Sequence, residues 1–332
     1  MKKLVTLAFA AALMVLGCGD AYAAKYNLKM QTYLPPSCAH SAKRLVERMS
    51  ALTNGEVEIQ LYTGGELVSS PNILKSVRSG MIDIGHGMGM HFPEMKTGTL
   101  ESGLPMAWMT PMEASILFDE KGLFQIFEKE YEKHGVTWLG PTWSSMYHTL
   151  SKKPIKSLED MRSMKFRAVG ATAKMLAALN IPVANISPED LYVALATGQV
   201  DGAVYGNATE YKETKFYESA GYLLVTPFIN PINDCLIINK KLFDSMPKNI
   251  QEAFRVAAYE ARWYWYVWSE AQALGVQEEL FKGKMTTLPE EDQRELVKAA
   301  LKVWEEEAKR SPEMAAGVEI VKAFAKAKGR LQ

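Results

Sequence analysis

Cysteine is scarce in this sequence, with three in 332 residues, at positions 18, 38 and 235. That is too few for a disulfide-built fold, and no pair has the spacing of a metal-binding motif. Net charge is also lacking: 38 basic side chains balance 38 acidic ones, which removes the electrostatic case for a nucleic acid or an anionic membrane as partner. The five histidines, at 40, 86, 91, 134 and 148, include no His-Glu-x-x-His or other ligand spacing. There is no Gly-x-Ser-x-Gly elbow and no phosphate loop ending in Lys-Ser or Lys-Thr, and Gly85-x-Gly87-x-Gly89 lacks the dinucleotide spacing. The expectation is therefore of no catalytic residue, no metal site and no cofactor. Past residue 17 no stretch is apolar enough to span a bilayer, and no repeat or low-complexity tract stands out.

The one long apolar run lies at the start. Lys2 and Lys3 precede Leu4 to Gly17, and Ala21-Tyr22-Ala23 follows, which is the charged, apolar and small-x-small order of an export signal spanning residues 1–23. The expected location is the periplasm. Val15-Leu16-Gly17-Cys18 also has the outline of a lipobox, in which Cys18 would be acylated. Cleavage after Ala23 is preferred because its distance from the apolar run suits the ordinary peptidase, and Leu16 is an unusual lipobox residue. Cys38 and Cys235 then remain; an oxidising compartment permits a bridge between them, and two buried free thiols are the plainer expectation.

A chain of this length exceeds one ordinary core, so two lobes are expected. Residues 26–33 and 56–62 read as strands around a helix at 39–53, and a helix near 70–80 precedes a strand from Met81 to Gly85. This βαβ alternation predicts an α/β fold. Residues 111–133 read as one helix with Phe118, Phe124 and Phe127 inward, followed by a strand at 136–139. A connecting strand at 147–153 leads into a second lobe that ends near residue 230, and Asp234–Asn239 carries the chain back. The lobes are thus 24–148 with 232–268, and 149–231 with the C-terminal helices of 269–332 packed on it. A long helix begins near Lys248, where Phe254, Ala258, Ala261, Trp265 and Trp268 repeat at helical spacing. Tyr259, Trp263 and Tyr266 make its opposite side apolar too, so it is expected to be buried on more than one face, its aromatics serving as core rather than as a binding box. A last helix, 290–309, carries Leu296, Ala300, Val303, Trp304 and Ala308 on one face.

The most informative stretch runs from Lys165 to Tyr205, KFRAVGATAKMLAALNIPVANISPEDLYVALATGQVDGAVY. Arg167 stands on a short strand before a glycine turn and a helix; a second helix and a returning strand follow. That places the guanidinium at the carboxyl end of a strand, where open α/β sheets present their binding crevice. Its planar fork of donors cannot be deprotonated there and suits a carboxylate or a phosphate. On residue type alone, an ordinary ion pair is the favoured reading.

Lys165-Phe166-Arg167, the run Pro188-Glu-Asp-Leu-Tyr-Val-Ala-Leu-Ala-Thr-Gly198 and Val200-Asp201-Gly202 together resemble the central signature of the substrate-binding proteins of TRAP transporters, the DctP-type extracytoplasmic receptors. YNLKMQTYLPPSCAH through GGEL, SVRSGMIDIGHG and INKKLFDSMP resemble further parts of that family, so the likeness covers nearly all of residues 26–285. It implies a two-lobed periplasmic-binding fold with a cleft, a long helix bracing both lobes, a small-molecule carboxylate as ligand and membrane permease subunits as partners. It implies too that Arg167 is the main carboxylate anchor, and that Cys38 and Cys235 lie near the cleft.

Residues expected at strand ends facing that cleft are Tyr33, the turn Gly85-His86-Gly87-Met88-Gly89, Trp143 with Tyr147, Tyr205 with Asn207, and Asn233 with Asp234. The substrate-binding set is therefore Arg167, Tyr33, His86, Met88, Trp143, Tyr147, Tyr205, Asn207 and Asp234. In better-known receptors of the family polar residues stand where Tyr33, Met88 and Tyr205 stand here, and the usual Glu-Asn-Pro or Glu-Trp after Asp-Gly is replaced by Val204-Tyr205-Gly206. Aromatic rings and a thioether favour a flat apolar body while Arg167 holds its carboxylate. The expected ligand is an aromatic or hydrophobic monocarboxylate such as an arylpyruvate, an aryl acetate or an aromatic amino acid, with Asp234 or Asn207 holding an amino or oxo group. The alternatives are a receptor for a four-carbon dicarboxylate or a small 2-oxo acid, or a sensory binding protein. A monomer is expected.

Overall fold

Leu28 and Met30 alternate with Asn27 and Lys29, and this period of two makes the first strand, β1 (Tyr26–Thr32), with one face on the core. The structure is a computed structural model describing residues 25–228 and 231–331; the expected export signal, Cys18 included, lies outside the described residues. After β1 come α1 (His40–Leu52), β2 (Val57–Tyr62), α2 (Ile73–Ser79), β3 (Ile84–Gly87), the short helices α3 (Gly98–Ser102) and α4 (Pro111–Ser115), α5 (Leu123–Lys133) and β4 (Val136–Trp143). The chain then builds β5 (His148–Ser151), α6 (Leu158–Arg162), β6 (Phe166–Arg167), α7 (Gly170–Ala178), β7 (Val183–Ala184), α8 (Leu191–Thr197), β8 (Gly202–Gly206), α9 (Ala208–Glu213) and β9 (Tyr222–Leu224). It returns through β10 (Asn233–Asn239) and α10 (Lys240–Ser245), and ends with α11 (Lys248–Leu280), β11 (Met285–Thr286), α12 (Glu290–Ala308) and α13 (Pro312–Ala327).

Two sheets result, ordered β2-β1-β3-β10-β4 and β11-β9-β5-β8-β6-β7. The first is parallel from β2 to β3, with β10 antiparallel to both β3 and β4. In the second, β6 pairs in parallel with β7 and β8, and β5 runs antiparallel to β8 and β9. This is the two-lobed α/β arrangement that the sequence leads one to expect. The chain crosses between lobes after β4 and after β9.

Helix α11 is the third connection. It packs on α1 and β4 of the first lobe and on α9 of the second. Phe254, Ala258, Ala261, Trp265 and Ala273 are buried beneath it, and His40 stacks on Trp268 at 4.1 Å. The aromatics of this helix do serve as packing. Its outer side is less covered than expected, with Tyr259 61% and Val267 60% exposed, because no element of the described chain lies over that face.

Other departures have local causes. The helix expected over 111–133 is broken: a wider turn at Ile116–Glu120 follows α4, and Gly122, at φ +96°, reverses the chain before α5. The strand expected from Met81 begins at Ile84, because Gly80 (φ +76°) ends α2 in the left-handed conformation and the next residues complete the turn, leaving Met81 exposed. The C-terminal segment is divided between the lobes, not confined to the second: α12 lies on α7, whereas α13 packs on α3 and α5. Glu307 of α12 ties the two, taking Lys174 of α7 in an ion pair and a hydrogen bond from Thr99 of α3. Cys38 and Cys235 are free thiols in the core. Among the described residues no helix is long and apolar enough to cross a membrane.

Candidate binding cleft

Strand β6 is only two residues long, so Arg167 stands at its carboxyl end and its side chain leaves the sheet into the space between the lobes. Nε donates to Ile186 O at 3.0 Å and Nη1 to Val204 O at 3.0 Å. These two bonds aim the guanidinium and leave the remaining donors of Nη1 and Nη2 unused. The residue is 4% exposed, and no carboxylate of the described residues lies within 4.0 Å of it. Burial pushes its pKa below the ordinary value, yet a guanidinium keeps its proton at any physiological pH. A buried cation with half its fork free is costly unless an anion meets it. Helix α7 begins beside it: Val169 at the N-cap offers no side-chain cap, and Val169 and Thr172 line the same space, so the positive helix end adds to the attraction.

The space at the cavity amounts to about 440 Å³, open solvent at its mouth included. The lobes approach closely beside it, and Gly170 (φ +56°) allows it, since a Cβ there would sit 3.1 Å from Met90 Sδ of the opposite lobe. Tyr33, Leu34, Met88 and His91 form the wall from the first lobe, and Tyr147, Pro188, Val204, Tyr205 and Glu210 face them. The Tyr205 ring lies 5.5 Å from the Arg167 guanidinium carbon. Its strand is pinned by Tyr211, whose hydroxyl donates to His148 O at 2.7 Å and receives Tyr205 N at 3.3 Å.

Two polar groups stand among these apolar walls. His91 meets the Tyr33 ring edge-on at 5.4 Å, and its Nδ1 has no partner among the described residues. Burial first, and then the Arg167 charge, push its pKa down to about 3, so it is neutral. Glu210 is 3% exposed; its Oε2 receives Ser145 Oγ and, at 3.2 Å, the backbone N–H of Asn207. Burial raises its pKa to about 8.

Of the nine residues expected to bind substrate, Arg167, Tyr33, Met88, Tyr147 and Tyr205 line the cavity. Asp234 lies one layer behind, accepting the Tyr33 hydroxyl at 2.7 Å, and burial raises its pKa to about 7. The other three face elsewhere. His86 is held between Thr32 Oγ1 and Thr142 Oγ1, 2.9 Å from each, inside the first sheet. Trp143 packs edge-on against Phe118 at 5.4 Å in the first-lobe core. Asn207 caps α9 and bonds Glu270 through Nδ2 at 3.0 Å, so neither its amide nor the second-layer Asp234 is free for a ligand's amino or oxo group. Nor does the glycine-rich turn bring backbone to a ligand. Gly85 makes room for Ile73, whose Cγ2 would lie 2.6 Å from a Cβ there, and Gly89 passes against Gly98 and Glu101.

Glu210 and Thr172 were missed as cavity residues. For Glu210 a signal existed: Asn207-x-x-Glu210 is a capping box directly after the β8 strand end, which puts a carboxylate in the first turn facing the crevice. On sequence His91 could serve as a polar pocket group, with a surface or core role the plainer expectation; the structure puts it in the cavity lining.

Residues 37–311 match the family described as DctP, bacterial extracellular solute-binding protein, family 7. The chain is 26% identical over 247 residues to the monocarboxylate 2-oxoacid-binding periplasmic protein of Nostoc sp., covering 70% of this chain and spanning 65% of that relative. It is 27% identical over 237 residues to the sialic acid-binding periplasmic protein of Vibrio cholerae, covering 64% of this chain and 68% of the other. In fold it is similar to a TRAP periplasmic solute binding protein from Chromohalobacter salexigens solved with (S)-(+)-2-amino-1-propanol, with a TM-score of 0.83 and 22% identity over 91% of this chain and 96% of that one.

Proposed function

This chain belongs to the bacterial extracellular solute-binding proteins of family 7, and from that premise we propose that it is a TRAP receptor that takes a monocarboxylate with an apolar body through Arg167 and hands it to membrane permease subunits. The observation that carries this reading is the buried guanidinium of Arg167, which has no carboxylate partner among the described residues and opens on aromatic walls. Its free donors match a carboxylate in a two-point contact. Tyr33, Tyr147, Tyr205 and Met88 supply apolar surface, worth roughly 25 cal/mol per Å² covered before ordering costs. A dicarboxylate fits less well, because no second Lys or Arg lines the cavity and its other charge would be desolvated without a partner.

The receptor works in the periplasm after export. Its lobes part to admit the ligand and close over it, and the closed surface is what the permease reads. Parallel calorimetric titrations with phenylpyruvate, indole-pyruvate, tryptophan and succinate test the ligand class. Aromatic monocarboxylates should bind at least about 100-fold more tightly than succinate, roughly the effect of leaving one charge unpaired. Tight succinate binding with no aromatic acid detected would refute it.

A further inference from the structure

Glu210 answers Arg167 across the cavity. Both are nearly fully buried, both line the same space, and no ion pair within 4.0 Å joins them. Each has one side committed to the protein and the other free. Arg167 spends Nε and one Nη1 donor on carbonyls; Glu210 spends Oε2 on Ser145 and the Asn207 N–H, while Oε1 has no partner among the described residues. No Lys or Arg other than Arg167 lines the cavity. Tyr147 and Tyr205 line the walls alongside both groups. A cation and an acid kept apart in one small cavity are both satisfied by a single molecule that carries the opposite pair of charges on neighbouring atoms.

We propose that the ligand is an α-amino acid with an apolar side chain, its carboxylate on Arg167 and its ammonium on Glu210. This rests on the reading of Arg167 as the carboxylate anchor and adds what stands beside that carboxylate. A second observation points the same way. The surface hollow that shares Tyr33, Pro188 and Tyr205 with the cavity is lined by Glu189 and Glu213 and by no Lys or Arg. Acids on that side of the cavity oppose a net anion such as a 2-oxo acid and leave a zwitterion unhindered. An ammonium also has three donors, enough for Glu210 Oε1 and a neutral acceptor as well, and His91 Nδ1 lines the same cavity without a partner. An oxo group in that position could only accept from a Glu210 that keeps its proton, whereas an ammonium draws the proton off and makes the contact a charge pair.

The test uses isosteric pairs differing only at the α-carbon: L-phenylalanine against phenylpyruvate, and L-leucine against 4-methyl-2-oxopentanoate, titrated calorimetrically into the mature chain and its variants. In the native chain each amino acid should bind at least about tenfold more tightly than its oxo analogue, the effect of one charge-assisted hydrogen bond. Glu210→Gln keeps the capping box, since Gln fills that position as well. It should weaken the amino acids at least about tenfold and leave the oxo acids within about threefold. Oxo acids binding as tightly as amino acids or tighter, a uniform loss for both members of each pair in Glu210→Gln, or no binding by any of the four would each overturn the proposal. If Glu210→Gln does not fold, the native preference alone decides. Arg167→Ala separates the two readings: if it abolishes binding while oxo acids remain preferred, the anchor stands and the ammonium site fails; if it changes nothing, the anchor itself is wrong.

Discussion

The two lobes face each other across the cleft with different chemistry. The second lobe brings a cation, Arg167 on β6, and a titratable acid, Glu210 on α9, each held by hydrogen bonds that fix its direction. The first lobe brings Tyr33, Leu34, Met88 and a neutral His91. On the proposed reading the difference is a division of labour: the second lobe would orient the ligand through its carboxylate and share the apolar contact through Tyr147 and Tyr205, while the first would close over the apolar body. A ligand would therefore engage the second lobe first and be measured for shape by the first. The lobes also treat their buried acids differently. Glu101 in the first lobe is bonded by Tyr131 at 3.1 Å and faces core, whereas Glu210 faces the cavity.

The largest expected effect breaks the contrast on its charged side. Arg167→Ala should cost about 2–5 kcal/mol of ligand binding by calorimetry, the range for truncating one partner of a buried charged contact. Arg167→Lys should recover little of it, since an ammonium lacks the fork. The melting temperature without added ligand should stay within a few degrees of wild type, because the residue lost is a buried charge with no carboxylate partner among the described residues.

The acids come next. Burial raises Glu101 and Glu210 to about 8 and Asp234 to about 7, so the folded chain keeps protons that the unfolded chain has released by pH 6.5. Where the native state binds more protons, stability falls as pH rises; each proton retained costs up to about 1.4 kcal/mol per pH unit. Denaturant unfolding at pH 6.5 and 8.5 should show that fall, and Glu101→Gln should make it shallower without changing ligand affinity. A rise in stability over that interval would contradict the burial of these acids.

On the apolar side the effects should be smaller. Tyr33→Phe removes the hydrogen bond to Asp234 and should cost about 1 kcal/mol of stability, with ligand affinity changed less than about threefold. A larger loss of affinity would give the first lobe a polar role. The smallest effect is expected at the cleft's rim, where Ser70 Oγ of the first lobe donates to Glu189 Oε1 of the second at 2.9 Å. Glu189→Ala should raise the ligand dissociation rate only a few-fold, about 0.5 kcal/mol, in stopped-flow fluorescence.

Much of this arrangement was legible in the chain. Period-two and helical patterns separate the α/β elements, and the order strand, glycine turn, helix puts Arg167 at a strand end. Aromatic content at Tyr33, Tyr147 and Tyr205 foretells an apolar wall. What misled was facing. His86 and Trp143 also sit near strand ends, yet both turn into the first lobe. Register decides this, and it shifts twice near the cleft, at His148/Thr149 against β8 and at Leu236/Ile237 against β4. A one-residue slip moves a side chain to the other face, and no local pattern announces it.

By itself, the sequence determined the class of fold, the family, and the presence of one arginine where an anion would be received, because these depend on residue type and short-range spacing. The tertiary structure alone decided that Arg167 has no protein carboxylate within reach among the described residues, that Glu210 faces the same cavity, and that Asn207 and Asp234 are already engaged. Whether a charge is paired depends on which distant segments fold against it and how much water they remove, and neither quantity is carried by neighbours along the chain.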